Sequence, residues 1–187
     1  MGKGPLAGIR IADLATVVFG PYCTQILADL GADVIKIEPA EGDTARMIGT
    51  PAKTPGMGPV HLRLNRGKRS VIWDIKTAKG RKAMRRLIET SDVLIHNIRP
   101  AAIDRLGLGY EQVRKIRPDI VYVHCTGFAL EGPYAGLQAY DDIISGGFRG
   151  PCRCCRALMA TRGRAICRCC SRTRSRACMR FTPLWLR

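Results

Sequence analysis

The chain has 187 residues, a hydrophobic share of 46% and a formal net charge of +16. This length is enough for one compact domain with a core of its own. No stretch approaches the roughly 20 apolar residues that a membrane-spanning helix needs. The N-terminus lacks the apolar run and small-residue cleavage site of a signal peptide, so we expect a cytoplasmic protein.

The charge and the cysteines are distributed unevenly along the chain. Residues 1–147 contain 20 Lys and Arg against 15 Asp and Glu, whereas residues 148–187 contain 11 Arg and no acid. The second segment also holds seven of the nine cysteines. The net charge therefore reflects the tail and does not indicate a nucleic-acid partner for the whole protein. We predict an α/β domain over 1–147 and an Arg/Cys-rich tail without a fixed fold over 148–187.

The first 124 residues alternate between apolar runs and helical periodicity. The pattern predicts strands at 9–14, 33–38, 70–75, 92–96 and 120–124, and helices at 22–30, 77–90 and 108–116. Strands separated by single helices favour parallel pairing in an open α/β sheet. Ligands of such sheets bind at the carboxyl ends of the strands. Four segments follow those ends: 15–20, 39–46, 97–100 and 126–128.

Few local motifs carry chemistry. Neither GxGxxG nor GxxxxGK[ST] occurs, so dinucleotide and P-loop sites have no support. The basic segment 65–70 fits either a phosphate-binding loop or a solvated loop. Asn97, Arg99 and Arg105 offer an amide and two guanidinium groups just after a strand, although helix capping also explains Asn97. The three histidines and the two cysteines of residues 1–147 are scattered and show no metal-ligand spacing.

Several short segments together resemble one family, the class III CoA-transferases, which include formyl-CoA transferase, carnitine CoA-transferase and α-methylacyl-CoA racemase. The segments are 8–14, 20–21, 30–39, 42–43, 65–70, 92–97, 106–108 and 132–134. The resemblance covers about residues 5–145. It implies a Rossmann-like, mainly parallel sheet, here the incomplete large domain of a longer chain. Intact members of the family form interlocked homodimers.

The resemblance also implies a site for CoA, with acyl-CoA and a carboxylic acid as substrates and no metal. CoA would contact a group of residues at the strand ends: Val18, Phe19, Trp73, Lys76, Asn97, Ile98, Arg99 and Arg105. Tyr140 and Asp141 would line the thioester site. Racemases usually carry His where this chain has Tyr140, which favours a transferase and leaves an acyl-CoA racemase as the alternative. Pro39 stands where relatives often have a basic residue, so one phosphate contact is in doubt.

In the family the nucleophile is an aspartate some 25 to 35 residues beyond the position of Tyr140, and residues 148–187 contain no Asp or Glu. The resemblance therefore predicts an inactive fragment. The tail repeats Cys-Arg-Cys-Cys at 152–155 and 167–170, but it contains none of the histidines that often complete common zinc sites. Its composition is typical of GC-rich coding DNA read out of frame, so we predict a frameshift near 145–148. A genuine Cys/Arg module, a basic RNA-binding protein and a non-catalytic CoA-binding protein are the alternatives.

Overall fold

The computed structural model describes residues 4–49, 53–135, 137 and 139, and its helices and strands all lie in the unit Met1–Leu137. Five parallel strands form one sheet in the order β3-β2-β1-β4-β5. The strands are β1 Arg10–Asp13, β2 Asp33–Glu38, β3 Arg69–Ile72, β4 Val93–His96 and β5 Val121–His124. The helices are α1 Phe19–Asp29, α2 Pro59–Leu64, α3 Ala78–Glu89, α4 Pro100–Arg105 and α5 Tyr110–Ile116, with a 3-10 helix at Thr44–Met47.

Apolar side chains alternate between the two faces of the sheet and build a core on each. Ala12, Ile35 and Leu94 pack on one face in a cluster that includes Met84 and Ile88 of α3 and residues of α4 and α5. On the other face, a smaller cluster of Ile11, Ala32, Val34 and Ile95 packs with Leu27 and Ala28 of α1. The central strands are therefore buried on both faces, as is usual for parallel sheets.

The predicted fold class is confirmed: the protein is an open, parallel α/β sheet. All five predicted strands and three predicted helices are present, with shifted ends. The first helix begins at Phe19 rather than residue 22, and the third strand ends at Ile72 rather than residue 75. Two six-residue helices were not predicted, α2 and α4, which begin at Pro59 and Pro100. Proline suits the first helical turn because its missing N–H has no partner there.

Some predictions fall on other parts of the chain. The boundary at 147, the tail 148–187 and the two predicted site residues Tyr140 and Asp141 lie outside the described residues. Among the helices that the structure describes, none is long and apolar enough to cross a membrane. Within the same ranges, no three His, Cys, Asp or Glu side chains meet as a metal site requires.

Candidate functional site

The strand order reverses between β1 and β4, the point where open α/β sheets bind ligands. The loop after β1 (residues 14–18, the β1–α1 loop) meets the residues after β4 at this point. The main-chain N–H of Thr16 donates to Asn97 Oδ1 (3.0 Å), and Asn97 Nδ2 donates back to the Thr16 carbonyl (2.9 Å). Both ends of the Asn97 amide thus bind one residue of the β1–α1 loop. This edge of the sheet, at the carboxyl ends of the strands, is called the carboxyl edge below.

A buried ion pair lies under the β1–α1 loop. The Lys36 ammonium is 2.8 Å from Asp43 Oδ2, and the two side chains are 1% and 0% exposed. Lys36 also donates to the Ala15 carbonyl (2.7 Å), while Asp43 Oδ1 accepts the N–H groups of Val17 (3.1 Å) and Ala45 (2.9 Å). Asp43 Oδ2 receives no aligned hydrogen bond and pairs with Lys36 as a charge. Burial raises the pKa of Asp43, but the Lys36 ammonium and these N–H donors outweigh it, so the pKa is lowered.

A second buried pair joins β1 to the basic segment 65–70. Lys68 donates to Asp13 Oδ2 (3.1 Å), the Pro21 carbonyl (2.9 Å) and Asn65 Oδ1 (2.9 Å). These three acceptors engage all three ammonium protons, so Lys68 has none left for a phosphate. Burial lowers the pKa of Lys68, and the charge of Asp13 offsets part of that effect. Lys68 is therefore neither the phosphate ligand nor the solvated side chain that the sequence predicted.

The other two cations of this segment are paired on the surface. Arg66 binds Asp29, and Arg69 binds Asp33 (2.7 Å). The basic segment is consequently a connection between β2 and β3 whose charges are matched by acids of neighbouring elements. The phosphate-loop hypothesis finds no free cation among Arg66, Lys68 and Arg69.

Glu38, the last residue of β2, organises the loop that follows it. Its carboxylate accepts from Arg46 at both oxygens (2.8 Å each), from Ser70 Oγ (2.7 Å) and from the Asp43 N–H (3.0 Å). Burial raises the pKa of Glu38, but these donors dominate and lower it to about 2. The Arg46 side chain is thereby held against the end of β2.

A histidine pair stabilises the segment after β4. The rings of His96 and His124 stack with centroids 4.3 Å apart, and His124 Nε2 donates to the Ile98 carbonyl (2.8 Å). Tyr122 OH donates to the Leu108 carbonyl (2.9 Å), so it accepts from His96 Nε2 (2.7 Å), and His96 Nδ1 accepts the Ile98 N–H (3.3 Å). His96 is therefore neutral, and burial with the neighbouring His124 lowers its pKa to about 4.

The predicted CoA-binding residues that the structure describes differ in burial and in the elements that carry them. Val18 and Phe19 are 47% and 69% exposed, at the start of α1. Lys76, Arg99 and Arg105 are exposed as well, after β3, at the N-cap of α4 and at its last residue. Trp73 and Ile98 are half-buried and pack on the larger core cluster. Asn97 stands apart, because its side chain is engaged by Thr16.

The sequence did not indicate that five charged side chains are buried at this edge, namely those of Asp13, Lys36, Glu38, Asp43 and Lys68. One signal was available. Lys36 stands among Val34, Ile35 and Ile37 in a strand that reads as fully buried, and a charge at such a position requires a partner. The partner itself, Asp43, lies after a turn in the family segment 42–43, but nothing in the sequence indicates that it pairs with Lys36.

Comparisons with known proteins agree on one family. The model for CoA-transferase family III matches residues 6–155. A succinate–glutarate CoA-transferase of Agrobacterium fabrum is 43% identical over 150 residues, which are 77% of this chain and 38% of that protein. A formyl-CoA:oxalate CoA-transferase of Streptomyces coelicolor is 41% identical over 139 residues, 74% of this chain and 33% of that protein.

Solved structures lead to the same family. A CaiB/BaiF family protein from Brucella suis superposes with a TM-score of 0.75 at 41% identity, covering 78% of this chain and 39% of that one. A hypothetical protein from Mycobacterium tuberculosis gives 0.68 at 36% identity, covering 79% and 40%. The chain thus spans well under half the length of the relatives it matches. Over residues 6–155, which are most of its length, it belongs to CoA-transferase family III.

Proposed function

We propose that this chain is the CoA-binding part of an enzyme that moves CoA from an acyl-CoA thioester to a carboxylic acid. The family match over residues 6–155 carries the proposal. The names of the relatives support it, because succinate–glutarate and formyl-CoA:oxalate CoA-transferases both act between carboxylic acids and their CoA thioesters. Tyr140 stands where racemases usually carry His, which favours transfer over the racemase alternative.

In this proposal CoA lies along the carboxyl edge. Val18, Phe19, Trp73 and Ile98 offer apolar and backbone contacts to the pantetheine and the base. Lys76, Arg99 and Arg105 are exposed cations suited to phosphate groups. Tyr140 and Asp141 would adjoin the thioester. Asn97 contributes through its main chain and through the β1–α1 loop, since its side chain is occupied.

Calorimetric titration of the 187-residue chain with CoA tests this assignment. We expect Arg99→Ala to weaken binding by about tenfold, the loss of one charge-assisted phosphate contact. Arg114→Ala is the matched control: Arg114 is also an exposed arginine, near the end of α5, which leads back to the opposite edge of the sheet. Equal effects of the two substitutions would mean that net charge, and not a site at the carboxyl edge, controls CoA binding.

We also propose that the 187-residue chain does not transfer CoA by itself. Transfer by this family's chemistry needs a carboxylate that attacks the thioester carbonyl and carries the acyl group and CoA between partners. Residues 148–187 supply no Asp or Glu. Chromatography of succinyl-CoA incubated with the chain and an acceptor acid should show no new thioester, and a turnover signal would contradict this part.

An out-of-frame reading near residues 145–148 accounts for the change in composition, and the family match ends a few residues later, at 155. Sequencing the coding DNA through codons 140–187 and beyond tests it. In-frame codons throughout would instead favour the Cys/Arg module and RNA binding.

For the full-length protein we propose a cytoplasmic, interlocked homodimer, which light scattering would reveal as twice the monomer mass.

A further inference from the structure

The β1–α1 loop has a backbone conformation that its sequence disfavours. Val17 has φ 69°, and it is the one non-glycine residue with a positive φ in the ranges that the structure describes. A β-branched residue in this left-handed region is a steric outlier and costs free energy. Such a conformation persists only where surrounding contacts determine it more strongly than the local preference opposes it.

Those contacts come from side chains of other elements. Asn97, after β4, binds both the N–H and the carbonyl of Thr16. Asp43, after β2, accepts the N–H of Val17, the strained residue itself. Lys36, within β2, donates to the Ala15 carbonyl. Consecutive main-chain groups from the Ala15 carbonyl to the Val17 N–H are therefore held by side chains, and none of them bonds to the main chain of a neighbouring strand.

The arrangement has a consequence for the two residues that follow. Val18 and Phe19 lie immediately after Val17, and they are exposed at the switch point where the sheet binds ligands. A change of φ at Val17 would redirect both. Because Gly20 is buried against Ala15, the start of α1 cannot move independently of the loop.

We propose that Asn97, Asp43 and Lys36 are positioning residues that hold the β1–α1 loop in its strained conformation, so that Val18 and Phe19 face the ligand. The inference rests on the proposed function only in taking CoA as that ligand. Rigid, preorganised loops bind more tightly because less conformational freedom is lost on binding. Asn97 acts on the loop and not on CoA through its side chain.

The test combines Asn97→Ala with Val17→Gly in the 187-residue chain. Asn97→Ala removes both main-chain hydrogen bonds to Thr16, together with the longer one that Thr16 Oγ1 donates to Asn97 Oδ1 (3.3 Å). Val17→Gly removes the steric cost of the positive φ. Asp92→Ala is the matched control, because Asp92 precedes β4 at its opposite end and likewise accepts a main-chain N–H of β1, that of Arg10 (2.9 Å). The readouts are the CoA dissociation constant and hydrogen exchange at the amides of Thr16 and Val17.

We expect Asn97→Ala to raise the CoA dissociation constant about tenfold and to accelerate exchange at both amides. In the double variant with Val17→Gly, at least about a third of the lost binding free energy should return, because glycine adopts the positive φ of residue 17 without steric cost. Asp92→Ala should change the constant by less than about twofold, because Asp92 lies at the opposite end of β4 and does not contact the β1–α1 loop. No change in Asn97→Ala, no recovery in the double variant, or an equal effect of Asp92→Ala would each overturn the proposal.

Two further outcomes are distinguishable. If the parent chain does not bind CoA, the proposed function fails for this chain and exchange decides the positioning role. Slow exchange at Thr16 and Val17 that becomes fast in Asn97→Ala supports it, and fast exchange in the parent overturns it. If Asn97→Ala does not fold, Asn97→Asp replaces it, because the carboxylate keeps the acceptor for the Thr16 N–H but loses the donor to its carbonyl. Unchanged affinity and exchange in Asn97→Asp would overturn the proposal.

Discussion

Replacing Lys36 by Met tests whether the buried ion pair under the β1–α1 loop stabilises the fold. Methionine keeps the length and apolar stem of the side chain, so the change removes mainly the charge. Asp43 would be left fully buried, and its Oδ2 would lose the Lys36 ammonium that lies 2.8 Å away. Removing one partner of a buried pair costs about 3–5 kcal/mol. This is a large part of the about 5–15 kcal/mol by which domains are stable.

Urea unfolding, followed by circular dichroism, measures the effect. We expect a lower midpoint with an unchanged slope, since the surface exposed on unfolding is the same. Arg85→Met is the matched control: Arg85 pairs with Glu89 at 3.4 Å on the surface of α3, and the side chains are 67% and 48% exposed. Exposed pairs of this kind contribute about 0.5 kcal/mol or less.

The double variant Lys36→Met/Asp43→Asn separates charge from packing. Asparagine keeps an oxygen for the Val17 and Ala45 N–H groups but carries no charge, so it should recover most of the lost stability. The deficit of Lys36→Met should also shrink at low pH, because burial without the ammonium raises the pKa of Asp43 and protonation then relieves the penalty. A loss under about 1 kcal/mol at pH 7, or a double variant no better than the single one, would refute the reasoning.

The buried contacts of His96, Tyr122 and Gly20 can each be tested by one substitution. Because the pKa of His96 is lowered from 6.5 to about 4, the contribution of its neutral ring to stability is full above pH 6.5 and is lost as the pH falls through 4. The fall in the free energy of unfolding between these two pH values should therefore be shallower in His96→Gln. Tyr122→Phe should cost about 1–3 kcal/mol in urea unfolding by leaving His96 Nε2 and a carbonyl unpaired, and a neutral result would mean that water replaces the hydroxyl. Gly20→Ala places a Cβ 2.3 Å from that of Ala15, so it should lower the melting temperature, and Ala15→Gly in the same chain should restore it; persistence of the defect would indicate another cause.

The secondary structure was predictable where the pattern was long. The helix at 77–90 shows apolar residues at helical spacing, and Met84, Leu87 and Ile88 are buried in the structure. The strand at 33–38 matches β2 at both ends. By contrast, α2 and α4 have six residues each, less than two turns, which is too short for a periodic signal. For this reason no helix was predicted between the second and third strands, where α2 lies.

The site was predictable only in part. The proposed location rests on the strand ends, a rule that depends on topology and not on residue type. The roles of the side chains did not follow, because they depend on contacts between residues far apart in the chain. Asn97 and Thr16 are 81 positions apart, and Lys68 and Asp13 are 55 apart. An asparagine after a strand reads equally well as a cap, a ligand or a link between loops.

The carboxyl edge thus has two layers with different physical roles. Asn97, Asp43 and Lys36 bind the β1–α1 loop from beneath, whereas Arg99 is exposed and free to meet an anionic ligand. Salt screens exposed charges, because the Debye length falls from about 10 Å at 0.1 M to about 3 Å at 1 M. Largely buried hydrogen bonds are screened much less. The loss of CoA affinity in Arg99→Ala should therefore shrink between 0.1 M and 1 M salt, and the loss in Asn97→Ala should persist. Equal salt dependence in calorimetry would mean that both residues act on the ligand directly, and the division into two layers would be wrong.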